Sequence, residues 1–241
     1  MANIYLTNSY LKDINTIVKD IREIKKKIAI SLEENIFYPG GGGQPADKGI
    51  IKLKSILEIP TLRVLNLNDK VFLSLPTSEQ ISIGDPIHAE IDWNRRYAYM
   101  QCHTAAHVVM GVLKREVQNY SPIGINISET GDIVTAKFNG SWRRQMEDAK
   151  SFIERANEII GRDINITIDT YKDISAAVNK YNEIYRGPRE FSGEVRIITI
   201  NGWDANPCGG THVKHTGEIG YLRLVNFGIQ EIAFSLIRDE K

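Results

Sequence analysis

Four side chains in two short segments have the chemistry of metal ligands. His103 and His107 are four residues apart in His103-Thr104-Ala105-Ala106-His107, inside a stretch from Arg96 to Asn119 whose only Gly or Pro is Gly111. On a helix, side chains at i and i+4 point the same way, so both imidazoles can reach one ion. Cys208 and His212 bracket Gly209-Gly210-Thr211, and the paired glycines predict a loop that can turn both ligands toward one centre. Three imidazole nitrogens and one thiolate suit tetrahedral zinc, whereas magnesium and calcium take oxygens. Singly, each pair has an ordinary explanation: helix histidines satisfied by hydrogen bonds, and a small buried cysteine. Two such pairs in a chain of five histidines and two cysteines point instead to one Zn2+ per chain, held by His103, His107, Cys208 and His212. His88, in Ile87-His88-Ala89-Glu90-Ile91, reads as a strand surface residue. His215 reads as the exposed approach to a turn at Gly217, and Cys102 points about 100° away from His103 on the helix.

Zinc lends itself to hydrolysis, by lowering the pKa of a bound water or by polarising a carbonyl. Four protein ligands, however, form the closed pattern of structural sites, while catalytic zinc keeps a position open. Three resolutions stand: one of the four is not a ligand, coordination expands to five, or the ion only orders pocket or substrate; a role in positioning substrate and water is favoured. No Glu accompanies the His-x3-His pair as it does in HExxH hydrolases. The cluster Gly40-Gly41-Gly42-Gly43 before Gln44 reads, alone, as a connector or turn. No Lys-Ser/Thr follows it, so a triphosphate-binding loop is excluded and ATP is not expected to take part.

Two regions must position these residues. Short apolar runs at Ile28 to Leu32, Ile50 to Leu53, Leu62 to Leu67, Val71 to Leu75 and Ile87 to Ile91 are separated by turn residues such as Asn68-Asp69 and Gly84-Asp85-Pro86. That pattern predicts a small β-barrel or sandwich. Tyr10 to Lys27 fits both a helical period and a β-branched strand. From about residue 92 the pattern changes. His103, Ala106, His107, Met110, Leu113 and Val117 form one helical stripe, and a second helix is expected over Arg144 to Ile160, stopped by Gly161. Strands are expected at Ile123 to Ile127, Ile133 to Phe138, Ile164 to Asp169, Val195 to Ile200, Gly220 to Asn226 and Ile229 to Arg238. The whole is α+β: a β domain over 1–90, then an α/β domain over 91–241 with helices on a mostly antiparallel sheet. The chain has 241 residues with 30 basic against 30 acidic side chains, so any polyanion must meet a local basic patch. Two cysteines, no apolar run of membrane-spanning length and no targeting segment fit a soluble, cytoplasmic protein without a membrane partner.

The two ligand segments and the glycine cluster together resemble a known family. Cys208-Gly-Gly-Thr-His212-Val-Lys-His-Thr216-Gly217-Glu218-Ile219-Gly220 is similar to one zinc motif of alanyl-tRNA synthetase editing domains. His103-Thr-Ala-Ala-His107, preceded by Asp92-Trp-Asn-Arg95-Arg96, is similar to the other. Phe37 to Gly49 resembles the glycine-rich signature of their N-terminal part. No aminoacylation region precedes them, so the chain resembles the free-standing editing proteins of the AlaX group in their medium form. The resemblance implies an N-terminal β-barrel, which places Tyr10 to Lys27 in strand, and a zinc-containing editing domain. It implies hydrolysis of the aminoacyl ester of mischarged tRNA(Ala), with His103, His107, Cys208 and His212 acting through zinc.

Serine is the expected misacyl group and glycine the second. An apolar pocket for alanine rejects an added hydroxyl only about 10²-fold, whereas a site that hydrogen-bonds the hydroxyl discriminates by roughly 10⁴–10⁵. Thr104, Asn126 and Ser128 are the candidates to read that hydroxyl, and Gly42, Gly43 and Gln44 the candidates to approach the tRNA end. For the phosphate backbone the candidates are Arg95, Arg96, Arg143, Arg144, Arg186 and Arg189, together with Lys180. Trp142 and the Tyr181 to Arg189 segment add aromatic surface. A monomer is favoured over an oligomer. The competing readings are a zinc-stabilised tRNA-binding module without catalysis and a zinc hydrolase of small esters.

Overall fold

The computed structural model describes residues 2–53, 57–76, 80–187 and 193–238. They form a mixed α+β protein whose sheets are mostly antiparallel. The chain divides into two compact units, residues 1–41 with 45–97, and residues 42–44 with 98–241.

The first unit carries strands β1 (Ala2–Asn3), β2 (Asp13–Ile24), β3 (Lys27–Leu32), β4 (Glu34–Asn35), β5 (Gly49–Leu53), β6 (Leu57–Pro60), β7 (Arg63–Leu67), β8 (Lys70–Leu75) and β9 (Pro86–Ile91). Most of Tyr10 to Lys27 is therefore strand (Asp13–Ile24, with a turn at Lys25-Lys26), as the family resemblance implied. Seven strands pair antiparallel in the order β6-β5-β9-β2-β3-β8-β7, and β1 pairs parallel with β4. The twelve-residue β2 pairs with β9 through its first half and with β3 through its second, with a register shift between Val18 and Asp20. Such a bulge sharpens the local bend and lets one strand serve two directions of sheet. The ladder stays open among the described residues, with β6 and β7 as its edges. This corrects the closed barrel expected from the sequence: short strands and frequent turns specify curvature, not closure. Val18, Ile30, Leu32, Ile51, Leu73 and Ala89 form the centre of its core.

One polar pair lies inside this unit. The Arg96 side chain is fully buried and ion-paired with Asp47. Its Nε donates to Asp47 at 3.0 Å, and its remaining nitrogens donate to the carbonyls of Ser9 (2.9 Å) and Ile36 (2.6 Å). Asp47 also accepts from the Tyr38 amide at 2.6 Å. Both charges are satisfied by several partners, the condition under which buried ions are tolerated.

The second unit holds most of α1 (Trp93–Glu116), then β10 (Gln118–Ile127), β11 (Ile133–Ser141), α2 (Met146–Gly161), β12 (Ile166–Tyr171), α3 (Ile174–Tyr181), β13 (Val195–Ile200), β14 (Asp204–Pro207), β15 (Tyr221–Phe227) and β16 (Glu231–Ile237). One antiparallel sheet runs β10-β11-β16-β15 and a second runs β12-β13-β14. Helix α2 buries Ala149, Phe152, Ile153, Ala156, Ile159 and Ile160 on one face, the period expected from its sequence. Its last residue is Gly161, the expected stop, with Arg162 as the C-cap. In α1 every residue from 99 to 113 is buried. The expected single stripe is thus part of a helix covered all round, which its run of Ala, Val, Met and Leu permits. Helix α3 and strand β14 were not anticipated. The first is started by Asp173, whose carboxylate accepts from the amides of Ser175 and Ala176.

Replacing Asp47 with Asn leaves the Arg96 guanidinium buried without its counter-charge. The variant is expected to lose ~3–5 kcal/mol, read as a lower urea midpoint at unchanged m-value. A loss below about 1 kcal/mol, the scale of an exposed pair, would mean that this pair does not secure the unit.

Candidate metal centre and cavity

The four predicted ligands converge within the second unit. The ligand atoms of His103, His107, Cys208 and His212 all lie within 4.8 Å of one another. Cys208 Sγ is 3.4 Å from Nε2 of His103 and 3.4 Å from Nε2 of His212. A tetrahedral zinc with bonds of about 2.0–2.3 Å sets neighbouring ligands roughly 3.3–3.7 Å apart, so these separations fit its edges.

Each imidazole is oriented through its other nitrogen. His103 Nδ1 lies 2.8 Å from Gln44 Oε1, His107 Nδ1 lies 3.2 Å from Asp204 Oδ2, and His212 Nδ1 lies 3.1 Å from Thr104 Oγ1. The Thr104 hydroxyl donates to the Met100 carbonyl at 2.8 Å, so toward His212 it can only accept. These acceptors favour the proton on Nδ1 of each ring, which leaves Nε2 for a metal at the centre. Burial lowers the pKa of His107, but Asp204 and Cys208 outweigh it and raise it above the ordinary value.

Those partners are themselves held. Gln44 is buried; its amide donates to Thr211 Oγ1 at 2.8 Å, and its carbonyl also accepts from the Thr211 amide at 3.1 Å. Asp204, fully buried at the start of β14, is ion-paired with the equally buried Arg186. Burial pushes the Asp204 carboxyl up, but Arg186 and His107 outweigh it and hold its pKa below the ordinary value. Burial likewise raises the Cys208 thiol, and the coulombic pull of His103 and His212, with hydrogen bonds from His103 and His107, reverses this to well below the usual thiol range. Burial lowers His212 to about 3, which keeps it a neutral donor. Cys102 is different: burial pushes it up to about 12, and its thiol donates to the Gly131 carbonyl.

Glycines make this packing possible. A Cβ on Gly210 would lie 2.2–2.4 Å from the His103 ring, whereas one on Gly209 meets nothing within 4 Å. Gly43 has φ +81°, and a Cβ there would fall 2.1 Å from the Ile125 carbonyl oxygen. Its own carbonyl accepts from the Ile127 amide at 2.9 Å, tying the glycine segment to β10. Arg196 donates to the carbonyls of Cys208 (2.5 Å) and Gly210 (3.0 Å), which pins the ligand loop.

A cavity of about 950 Å³ opens beside the cluster. Its wall includes Gly42, Gly43, His103, His107 and Cys208, together with Tyr120 to Ile125 of β10. The Tyr120 phenol oxygen is buried, and burial pushes its pKa up to about 12 against the opposing charge of Arg186.

The remaining candidates lie apart from the cluster or are already engaged. Thr104 touches His212, but its hydroxyl is fully committed. Asn126 and Ser128 do not line the cavity. Asn126 is exposed, and Ser128 closes the β10–β11 turn by accepting from the amides of Asp132 and Ile133. Gln44 does reach the site, as a partner of His103. Arg96 is buried in its ion pair with Asp47, and Arg186, among the residues lining the cavity, is ion-paired with Asp204. Arg143 and Arg144 are exposed, Arg95 is half-buried, and Lys180 is exposed beside Asp169 at 3.5 Å. Arg189 lies outside the described residues. His88 and His215 stand apart from the cluster, beside Asn15 and Asp163 respectively. Asp204 and Arg196 were not singled out from the sequence.

Comparison with known proteins gives the same direction. Residues 195–238 match the family described as threonyl and alanyl tRNA synthetase second additional domain. The chain is 31% identical over 232 residues to alanyl-tRNA editing protein AlaX-L of Pyrococcus horikoshii, covering 94% of this chain and 54% of that protein. It is 28% identical over 232 residues to AlaX-M of Methanosarcina mazei, covering 92% and 88%. The chain is a homologue of the alanyl-tRNA editing proteins. It is also 30% identical over 219 residues to the alanine–tRNA ligase of Sulfurisphaera tokodaii, 87% of this chain and 23% of the ligase. It thus spans about half the length of the AlaX-L relative and most of the AlaX-M relative. No described helix is long and apolar enough to cross a membrane.

Two substitutions separate the parts of this centre. Gly210→Ala is expected to displace His103 and lower the bound metal measured by atomic emission, while Gly209→Ala keeps a full complement. Equal metal in both would show that the loop does not need its close approach. Asp204→Asn keeps the size of the side chain but weakens its grip on His107. Metal affinity, measured by competition with a chromophoric chelator, should fall about 10–100-fold; an unchanged affinity would remove Asp204 from the site's support.

Proposed function

We propose that the chain hydrolyses the ester of mischarged tRNA(Ala), seryl-tRNA(Ala) foremost and glycyl-tRNA(Ala) second, with one zinc ion bound by His103, His107, Cys208 and His212. The reading assigns residues 1–90 to a β domain and 91–241 to the editing domain of a monomeric cytoplasmic enzyme. The observation that carries it is the convergence of three imidazoles and one cysteine sulfur beside a cavity about 950 Å³ in volume, whose wall includes His103, His107 and Cys208, in a homologue of proteins named for alanyl-tRNA editing.

Zinc, when bound, supplies Lewis acidity and a positive charge against the oxyanion that ester hydrolysis develops. The protein's own residues do the rest. Cys208 enters as thiolate and the histidines as neutral donors, so the ligand set carries one negative charge. Gly42 and Gly43 offer wall without side chains, which admits the bulk of a terminal adenosine. Discrimination by hydrogen bond fits the substrate problem, because serine is larger than alanine and cannot be sorted from it by a smaller sieve. A zinc-stabilised tRNA-binding module would share the ligands and the cavity but release no amino acid.

Seryl-, glycyl- and alanyl-tRNA(Ala) incubated with the protein distinguish these readings. Serine is expected to be released rapidly with alanine spared. A folded Cys208→Ala variant should be slower by about 100-fold or more, the scale of several kcal/mol of lost transition-state stabilisation. Intact seryl ester beside zinc-loaded protein would leave the binding module as the better account.

A further inference from the structure

The hairpin between β2 and β3 is built against the preference of its residues. Ile24 pairs with Lys27, which leaves Lys25 and Lys26 as a two-residue loop. Their φ angles are +51° and +61°, the left-handed pair of a type I′ turn. That conformation crowds any side chain with a Cβ and is normally given to Asn, Asp or Gly. The same chain supplies the comparison. The β7–β8 hairpin has the same loop length and the same φ angles, +51° and +61°, and fills them with Asn68 and Asp69.

The wider pattern repeats the point. Among the described residues, the non-glycine positions with positive φ are Asn68, Asp69, Asn119 and Asp163, which tolerate it, and Lys25, Lys26 and Arg144, which do not. Every exception is basic, and all three are exposed. Lys25, Lys26 and Lys27 are consecutive and exposed, and none ion-pairs among the described residues. Glu23, also exposed, is the nearest acid along β2. In a chain with balanced charge this tip is a concentrated cationic point, held in a turn that a neutral pair would form more readily.

We infer that the Lys25-Lys26-Lys27 tip binds the phosphate backbone of RNA, the tRNA on which the proposed reaction acts. The inference rests on that reading for its partner. Flexible ammonium groups on a rigid turn suit phosphates without regard to base sequence. Strain retained at an exposed turn is the trace expected where charge was kept at the expense of stability.

The test uses the full chain and labelled, uncharged tRNA(Ala), with binding followed by fluorescence anisotropy at several salt concentrations. In Lys25→Asn/Lys26→Gly the melting temperature is expected to rise, because the turn gains residues suited to it. The slope of log affinity against log salt should become shallower by about 1.4–1.8. Equivalently, the wild-type advantage shrinks about tenfold between roughly 50 and 200 mM salt. Lys25→Arg/Lys26→Arg keeps the charge and should keep the wild-type slope. An unchanged slope in the folded Asn-Gly variant, or a melting temperature that falls, overturns the inference. So does lysine-dependent binding to anionic phospholipid vesicles while tRNA binding stays the same. If wild-type protein binds and deacylates tRNA but the slope does not move, only the tip assignment is lost. If wild-type protein does neither, the reading of the cavity fails first.

Discussion

An imidazole can offer one nitrogen to a metal only if its other nitrogen has a place for the proton. This constraint organises the second unit. His103, His107 and His212 satisfy it with three different acceptors: an amide oxygen of Gln44, a carboxylate of Asp204 and a hydroxyl of Thr104. Each acceptor is buried, so none can be replaced by water without opening the structure. The all-round burial of α1 from 99 to 113 follows from the same need. A helix that carries two ligands and one orienting hydroxyl must be covered on the faces that hold them and on those that do not.

Burying the supporting charges carries a penalty of several kcal/mol per ion, which only good geometry and multiple hydrogen bonds offset. Asp204 meets that condition by serving Arg186 and His107 at once. Cys208 meets it by lying among imidazoles that favour its thiolate. The first unit uses the same device for Arg96 and Asp47, with no metal ligand involved. A buried ion pair is thus a means of fixing geometry in both units, and only in the second does it bear on a candidate site.

The ligands were legible because their spacing is a local property: four residues on a helix, and four across a glycine loop. The helical period of α2, the strand at β13 and the turn at Asn68-Asp69 were legible for the same reason. What could not be read was long-range. Gln44 was chosen as a substrate contact because it follows four glycines, yet its partners are His103 and Thr211, 59 and 167 residues away. Asp204 stood in no motif, since its meaning comes from His107 across 97 residues. Arg96 and Arg186 were weighed as phosphate contacts by charge alone; only the fold shows that a carboxylate already holds each. Closure of a sheet is equally non-local, which is why the barrel was expected and an open ladder found. Helix α3 was different, because the Asp173 cap that starts it is written locally and was overlooked beside a weak apolar pattern.

The sequence also posed a difficulty that the geometry narrows. Four protein ligands suggest a closed, structural centre, while hydrolysis asks for access. His103, His107 and Cys208 line the cavity, and His212 does not. The face exposed to the cavity is therefore the triangle of those three residues, with His212 and its Thr104 partner behind it. Under the proposed reaction, a substrate ester in the cavity would meet the cluster through these three residues. Of the three resolutions, this arrangement favours a full ligand set approached from its open side over the loss of one ligand. It also gives His212 a role unlike that of the other two histidines: it lies away from the substrate, so its contribution is to hold the set together from behind.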